Sequence, residues 1–231
     1  MITVVTFDLD DTLWDVSPAI ARAEQAQNDW LGVHFPAAVN ADLDAFKRAV
    51  KQQVLNDRPD LRHHISAFRQ EYLRRLLVHV GVSEEEALRG AAGAFAAFIT
   101  QRHRVALFGE SRAMLQKITT QFTIGALTNG NADVYQTPLA DFFDFAIKAE
   151  DVGGAKPLPH LFEAALRHTN VQPSALVHVG DSHDHDIDGA KNAGVRAIWY
   201  NSSGDVSDRA DASIQCLSEL PDVLARMRAP L

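Results

Sequence analysis

The sequence predicts an α/β fold: a mainly parallel sheet with a helical bundle inserted into it. Three observations in the 231 residues carry this. The chain opens on a β-branched run, ITVVTFD (2–8), that ends in polar residues. From Ser17 to about Arg104, apolar residues recur at helical spacing and no convincing strand appears. After Phe108-Gly109, strand-like and helix-like stretches alternate.

The opening run reads as a buried strand. Ser17-Pro18 is an N-cap followed by proline at the first helical position, starting a helix that runs to about Leu31. Asn40 is expected to cap a second helix with Leu43, Phe46, Val50 and Val54 on one face. A third, from Asp60, carries a stripe of Leu61, Ile65, Phe68, Leu73, Leu76 and Val80. The fourth opens at Ser83-Glu84-Glu85-Glu86, a capping box, and its stripe runs through Leu88, Ala92, Phe95 and Ile99. Four amphipathic helices predict a small bundle with Phe46, Phe68 and Phe95 in its core. Beyond it, a helix over about 110–120 precedes the strand FTIGALTN (122–129). A helix from Asn131 and a short strand, FDFAIKA (143–149), follow. Helix 158–169 leads to strand ALVHVGD (175–181), helix 184–193 leads to strand VRAIWYN (195–201), and a last helix starts near Ser218. This alternation predicts a Rossmann-like, mainly parallel sheet covered on both faces. The first strand joins that sheet across the bundle, so residues 1–16 and 105–231 form one domain and 17–104 the insertion.

Composition narrows the function. Asp and Glu number 30 against 22 Lys and Arg, a formal net charge of −8. Nucleic acid and anionic membrane surfaces select basic footprints, so neither is an expected partner. No apolar run approaches the ~20 residues that span a bilayer. The N-terminus has neither a basic leader nor a small-residue cleavage site. Cys216 is the single cysteine, which excludes an intrachain disulfide. The expectation is a cytoplasmic protein.

TFDLDDTLWD (6–15) places Asp8, Asp10 and Asp11 within four positions. Asp is depleted in strands, and clustered like charges cost energy unless a cation offsets them. The stretch is therefore either a solvated turn or a metal site. In an open parallel sheet, ligands bind beyond the carboxyl ends of the strands. Asp8 and Asp10, Thr128-Asn129, and Gly180-Asp181 with Asp186 all fall at such ends. Lys156, in GGAKPLPHLF, precedes a helix and is placed to reach the same crevice. Acids around a cation, one hydroxyl and one ammonium suit phosphoryl transfer. Oxygen ligands suit magnesium, and the hydroxyl and ammonium suit the charge on the transferred group. No Cys/His cluster points to zinc, no Gly-x-Ser-x-Gly to a serine nucleophile, and no Gly-x-x-x-x-Gly-Lys-Ser/Thr loop to a nucleoside triphosphate.

In order, DLDDT, LTNG, AKPLP and GDSHDHD resemble the four motifs of the haloacid dehalogenase-like (HAD) hydrolase superfamily, and the match covers essentially all of the α/β core. The resemblance implies that Asp8 is the nucleophile that becomes an aspartyl phosphate and that Asp10 is the general acid and base. It implies that Thr128, Asn129 and Lys156 hold the phosphoryl group. It further implies that Mg2+ is bound by Asp8, the backbone carbonyl of Asp10 and Asp181, with Asp186 at or just behind the metal. Dehalogenases of the superfamily lack an aspartate two residues after the nucleophile, so Asp10 points to a phosphatase. The bundle lies where the superfamily places its helical C1 cap. TFDLDDTLWD with Pro18 and Ile20, LTNGNA and VHVGD are similar to bacterial flavin mononucleotide and ribitylaminouracil-phosphate phosphatases. The expected partner is a small phosphorylated metabolite. A phosphomutase of the same superfamily, a haloacid dehalogenase and a catalytically quiet binding protein are the alternatives.

Blander readings apply to the neighbours. Asp11 reads as a turn residue, His183 and His185 as exposed helix-entry polar residues, and Asp184 as suited to a helix N-terminus. Trp14 and Trp30 read as packing residues. If the bundle selects the leaving group, contacts are expected near Trp14 and the linker GVHFPAAVN (32–40).

Overall fold

The computed structural model describes residues 1–40, 43–205 and 207–228. It divides into two compact units, Met1–Val16 with Val105–Leu231 and Ser17–Arg104. No helix among the described residues is long and apolar enough to cross a membrane.

The first unit is built on a six-stranded sheet: β1 (Val4–Phe7), β4 (Thr123–Thr128), β5 (Phe145–Lys148), β6 (Leu176–Gly180), β7 (Arg196–Tyr200) and β8 (Ala212–Ile214), in the order β5-β4-β1-β6-β7-β8. Every neighbouring pair is parallel. Residues of β1 and β6 are buried throughout, as in a sheet covered on both faces. Helices α5 (Ser111–Ile118), α6 (Ala149–Val152), α7 (His160–Thr169), α8 (Gly189–Asn192) and α9 (Leu220–Arg228) connect or follow the strands. One core cluster joins Leu127, Phe145, Leu161, Phe162, Leu176 and Ile187. A two-stranded antiparallel pair, β2 (Trp14–Asp15) with β3 (Ala106–Leu107), fixes the chain where the insertion leaves and returns.

The second unit holds α1 (Val16–His34, whose first residue belongs to the first unit), α2 (Asp44–Asp57), α3 (Ile65–His79) and α4 (Glu84–Arg102). Ser83 caps α4, its hydroxyl accepting from the Glu86 amide at 3.4 Å. Asn40 does not cap α2: the helix opens at Asp44 with Leu43 in the cap position, and Leu43 N donates to the Asn40 carbonyl at 3.2 Å.

The buried face of α4 also differs from the expected stripe. Ala87, Ala91, Ala94 and Phe98 are buried, whereas Leu88 is 56% exposed and Phe95 is half-buried. Small residues let neighbouring segments approach. A Cβ at Gly90 would strike Leu77 and Phe35, and one at Gly93 would strike Trp30. Close approach of small side chains outranks the larger apolar periodicity here. Phe46 likewise sits half-buried at the rim of a core made of Leu31, Val50, Tyr72, Leu73, Leu76 and Leu77, and Phe68 is also half-buried and not part of that core.

Two further differences lie in the sheet unit. The stretch from Asn131 forms two 3-10 turns, Val134–Gln136 and Ala140–Phe142, and not a helix. Asp133 caps the first turn through the Tyr135 amide at 3.0 Å, and Thr137 is extended before Pro138, which ends it. The segment His183–Asp188 is a wide π turn that passes into α8, not one regular helix over 184–193.

Candidate active site

The strand order creates the site. From β1 the chain goes to β4 and β5 on one side of it and then to β6, β7 and β8 on the other. The crevice beyond the carboxyl ends of β1, β4 and β6 is thus a topological switch point. Phe7 pairs with Ala126 and with Val179, so Asp8, Thr128 and Asp181 emerge at one edge. A cleft of about 180 Å3 is lined by all seven residues expected there: Asp8, Asp10, Thr128, Asn129, Lys156, Asp181 and Asp186, together with Gly130, Ser182 and His185.

Lys156 stands at its centre, its side chain 1% exposed. Nζ donates to Asp8 Oδ1 at 2.7 Å, Asp186 Oδ1 at 2.6 Å and the Leu127 carbonyl at 2.7 Å. Those three bonds use every ammonium hydrogen. Asn129 fixes the lysine from outside: its Oδ1 accepts from Lys156 N at 2.7 Å, and its Nδ2 donates to the Lys156 carbonyl at 2.9 Å. Thr128 accepts from Gly130 N at 2.9 Å, which leaves its hydroxyl hydrogen to donate elsewhere.

His178, on β6 and fully buried, joins the cluster without having been expected. Its Nδ1 lies 3.0 Å from the Thr6 hydroxyl and its Nε2 lies 3.1 Å from Asp186 Oδ1. With Lys156 saturated, the consistent arrangement has Thr6 donating to Nδ1 and Nε2–H donating to Asp186. Ser182 N donates to Asp186 Oδ2 at 3.0 Å. The π turn and Gly180 make this possible, since a Cβ at Gly180 would occupy the Asp186 carboxylate. Thr12 meets Asp181 twice: its hydroxyl donates to Oδ1 at 3.0 Å and accepts from the backbone N at 3.1 Å. Trp14 and Trp199 donate their indole N–H groups to Asp10 Oδ1 and to the Asp181 carbonyl, each at 2.8 Å.

Burial and charge oppose each other across the cluster. Burial pushes Asp8 well above the ordinary carboxylate range against the pull of Lys156, with Asp186 and Asp10 adding to the rise. Burial and Asp186 also raise Asp181, against the hydrogen bond from Thr12. For Asp186, burial is outweighed by Lys156 and His178, which hold it low. Burial works against the Lys156 ammonium, yet Asp186 and Asp8 keep its pKa above the ordinary lysine value. His178 is lowered to about 4, first by burial and then by Lys156, so the imidazole is neutral near pH 7.

One ammonium thus faces four carboxylates in a part-buried cleft, and two of those carboxylates are driven toward protonation. Ligand oxygens of Asp8, Asp181 and Asp186 lie within 4.8 Å of one another. An all-oxygen donor set with a deficit of positive charge fits a hard divalent cation. A second group, His183, Asp184 and Asp188, is as tightly spaced, but Asp188 pairs with Arg209 and His183 with Ser207, each at 2.8 Å. Asp11 is exposed at φ 59°, and its carboxylate accepts from Val16 N at 3.1 Å as a turn residue does. Trp14 is fully buried, as a packing residue is.

A parallel switch-point sheet with aspartates two residues apart at one strand end, and a lysine bridging acids from two strands, is the core of an α/β hydrolase class. The chain belongs to the haloacid dehalogenase-like hydrolase family, whose model matches residues 2–194. It is 30% identical over 217 residues to the 5-amino-6-(5-phospho-D-ribitylamino)uracil phosphatase YigB of Escherichia coli K12, covering 92% of this chain and 90% of that one. A solved structure described as a 2-haloacid dehalogenase from Pseudomonas syringae pv. Tomato DC3000 superposes with a TM-score of 0.92 at 46% identity, covering 98% of this chain and 99% of the other. A HAD phosphatase from Thermococcus onnurineus superposes with a TM-score of 0.65 at 25% identity, covering 99% and 100%.

Proposed function

We propose that this protein is a magnesium-dependent phosphatase of small phosphorylated metabolites. The observation that carries the reading is Asp10, held in the same cleft as the Lys156-bound Asp8. Breaking an ester P–O bond leaves an alkoxide that needs a proton, whereas displacing halide from carbon does not.

Lys156 holds Asp8 Oδ1 and leaves Oδ2 to attack phosphorus. As the P–O bond to the leaving group breaks, Asp10 gives that oxygen its proton, and Asp8 carries the phosphoryl group as an aspartyl phosphate. Asp10 then takes a proton from water while the water oxygen attacks phosphorus. This frees the Asp8 carboxylate and inorganic phosphate and restores the proton on Asp10. Thr128 donates to a phosphoryl oxygen. Lys156 reaches that group only by releasing one of its three present partners. Asn129 acts through Lys156, whose backbone it holds on both sides. Magnesium would be held by Asp8, the Asp10 carbonyl and Asp181, with Asp186 at or behind it. When bound, it supplies the positive charge the cluster lacks.

The helical unit, Ser17–Arg104, is the proposed cap that selects the leaving group. The YigB likeness makes a riboflavin-pathway phosphate or flavin mononucleotide the first candidate substrate. The 46% likeness to a structure described as a 2-haloacid dehalogenase supports a second reading, dehalogenation. A panel of several dozen phosphorylated metabolites, read by inorganic phosphate, tests both readings beside 2-haloacids read by free halide. Phosphate release that requires magnesium, without a second sugar phosphate as product, is expected. Halide release with no phosphate release would overturn the reading. A rearranged sugar phosphate in place of free phosphate would make the chain a mutase.

A further inference from the structure

We infer that His185 is a specificity-determining residue, set at the mouth of the cleft to pair with a neutral hydroxyl on the leaving group, beside the phosphate ester. The inference rests on the reading of the cleft as a phosphatase site and adds the chemical class of alcohol released there.

The stretch HDHD (183–186) uses its side chains in different ways. His183 is held within the fold: Nε2 lies 2.8 Å from the Ser207 hydroxyl, Nδ1 lies 3.4 Å from Asp188 Oδ2, and the ring meets Trp199 edge to face. Asp184 is exposed, and Asp186 is buried against Lys156. His185 lines the cleft and is exposed. Its ring has no hydrogen-bond, ion-pair or ring partner among the described residues, whereas its backbone is fixed. His185 N donates to the Ser182 hydroxyl at 3.3 Å. The next residue, Asp186, is tied to Ser182 twice, its amide 2.8 Å from the Ser182 carbonyl and its Oδ2 3.0 Å from Ser182 N. A held turn thus carries an unused imidazole at the edge of the site.

Burial orders the cleft from floor to mouth. Asp8, Thr128, Lys156 and Asp186 are buried, and His185 is exposed. The phosphoryl group has to reach Asp8 and Thr128, so it takes the floor. What meets the level of His185 is the alcohol being released. Every side chain lining the cleft is polar, Gly130 having none. An alkyl group there would cover polar atoms without giving them hydrogen bonds. A group with its own negative charge would meet Asp10 and Asp181, which line the same cleft. A neutral hydroxyl meets neither obstacle. Imidazole offers an N–H in both of its charge states, so the pairing does not depend on which state is present.

His185→Phe keeps a ring and the backbone bond to Ser182, and it removes both ring nitrogens. Each ester the wild type turns over is compared with the counterpart that differs only by a hydroxyl on the carbon next to the ester carbon. Glycerol 3-phosphate against 3-hydroxypropyl phosphate is the simplest pair. The readout is kcat/KM for phosphate release. The wild type should prefer the hydroxylated member, and His185→Phe should lower that preference about 3- to 10-fold, the range of one hydrogen bond, through the hydroxylated member alone. His185→Ala should do the same. His185→Gln, whose amide again offers a donor and an acceptor, should restore most of the preference. Inhibition by inorganic phosphate should change less than about twofold in all three, since the floor is untouched. A wild-type preference for the deoxy member, equal losses for both members, an unchanged preference, or no rescue by glutamine would each overturn the inference. Weaker phosphate inhibition in step with the loss would overturn it too, by making His185 a phosphoryl contact. Wild-type protein that releases phosphate from no ester of the panel would overturn the phosphatase reading itself, a result separable from the others.

Discussion

Lys156→Met tests whether the cleft is held together by charge. The side chain is 1% exposed and sits between Asp8 and Asp186 at 2.7 and 2.6 Å. Methionine keeps most of the volume, so the lost quantity is electrostatic. Two carboxylates remain, Asp186 with a side chain 2% exposed and Asp8 with one 12% exposed. Removing one partner of a buried pair costs about 3–5 kcal/mol, because the remaining charge has neither water nor a counter-ion. At about 2–4 °C per kcal/mol for a chain of this size, the thermal transition of the sheet unit should fall by roughly 6–20 °C. Differential scanning calorimetry in chelator reads this. Magnesium should return part of the loss, since it offsets the same carboxylates. The cycle with Asp186→Asn gives the sharper test. The double variant removes a charge from each side of the pair, so it should be less destabilised than the two single costs added together, by about 1 kcal/mol or more. A Lys156→Met loss below about 1 kcal/mol, or strict additivity in the cycle, would refute the argument that the ammonium neutralises the cluster.

Gly180→Ala should cost about 1–3 kcal/mol and most of the activity, because the new methyl takes the place of the Asp186 carboxylate; wild-type activity and melting would contradict it. Chelator should abolish phosphate release, magnesium should restore it, and calcium, with its looser coordination, should restore little; full activity in excess chelator would remove the metal from the reaction. In the helical unit, hydrogen bonds from Arg74 and Arg75 outweigh burial and lower Glu71 from the usual 4.5 to about 2. The folded pKa is depressed, so this stabilisation is complete above about 4.5 and is lost as pH falls through about 2. Glu71→Gln should cost about 1–2 kcal/mol at pH 7, with the difference from wild type shrinking as the pH is lowered from 4.5 toward 2 in denaturant titrations.

The sheet was legible because a fully buried parallel strand reads as a short, mainly apolar and β-branched run, and Val4–Phe7, Ile124–Thr128 and Leu176–Val179 are such runs, with Thr6, Thr128 and His178 as their polar members. Strand β8 was not, because Ala212–Ile214 offers three residues in a polar context. Asn131 opened a pattern that resembled a helix, but Asp133 and Pro138 each impose local turn geometry that overrides it. On α4 the larger apolar residues drew attention to the wrong face. The face used is set by how near α3 and the neighbouring rings can come to alanine and glycine, which a periodicity count does not weigh.

At the site, the residues were legible and their partners were not. Acids two residues apart, and a hydroxyl or a lysine at a strand end, announce themselves because the chemistry restricts residue type at short spacing. Asn129 was expected at the site, but its hold on the Lys156 backbone, like the contacts of His178 and Trp14, carries no such signature. An asparagine after a strand is an ordinary turn former, a histidine in VHV an ordinary core residue, and a tryptophan four residues after Asp10 an ordinary packing residue. What sets them apart is the acceptor each one meets. The backbone of Lys156 is 27 positions from Asn129, and Asp186 lies across the π turn from His178. The Trp14–Asp10 contact is the instructive exception, since its four-residue separation is local. It escaped sequence reading because those four residues are not helical: Asp11 at φ 59° reverses the chain, and that reversal turns the indole back onto the carboxylate. Asp11, the third acid of the opening stretch, is thus the hinge that lets Trp14 reach Asp10.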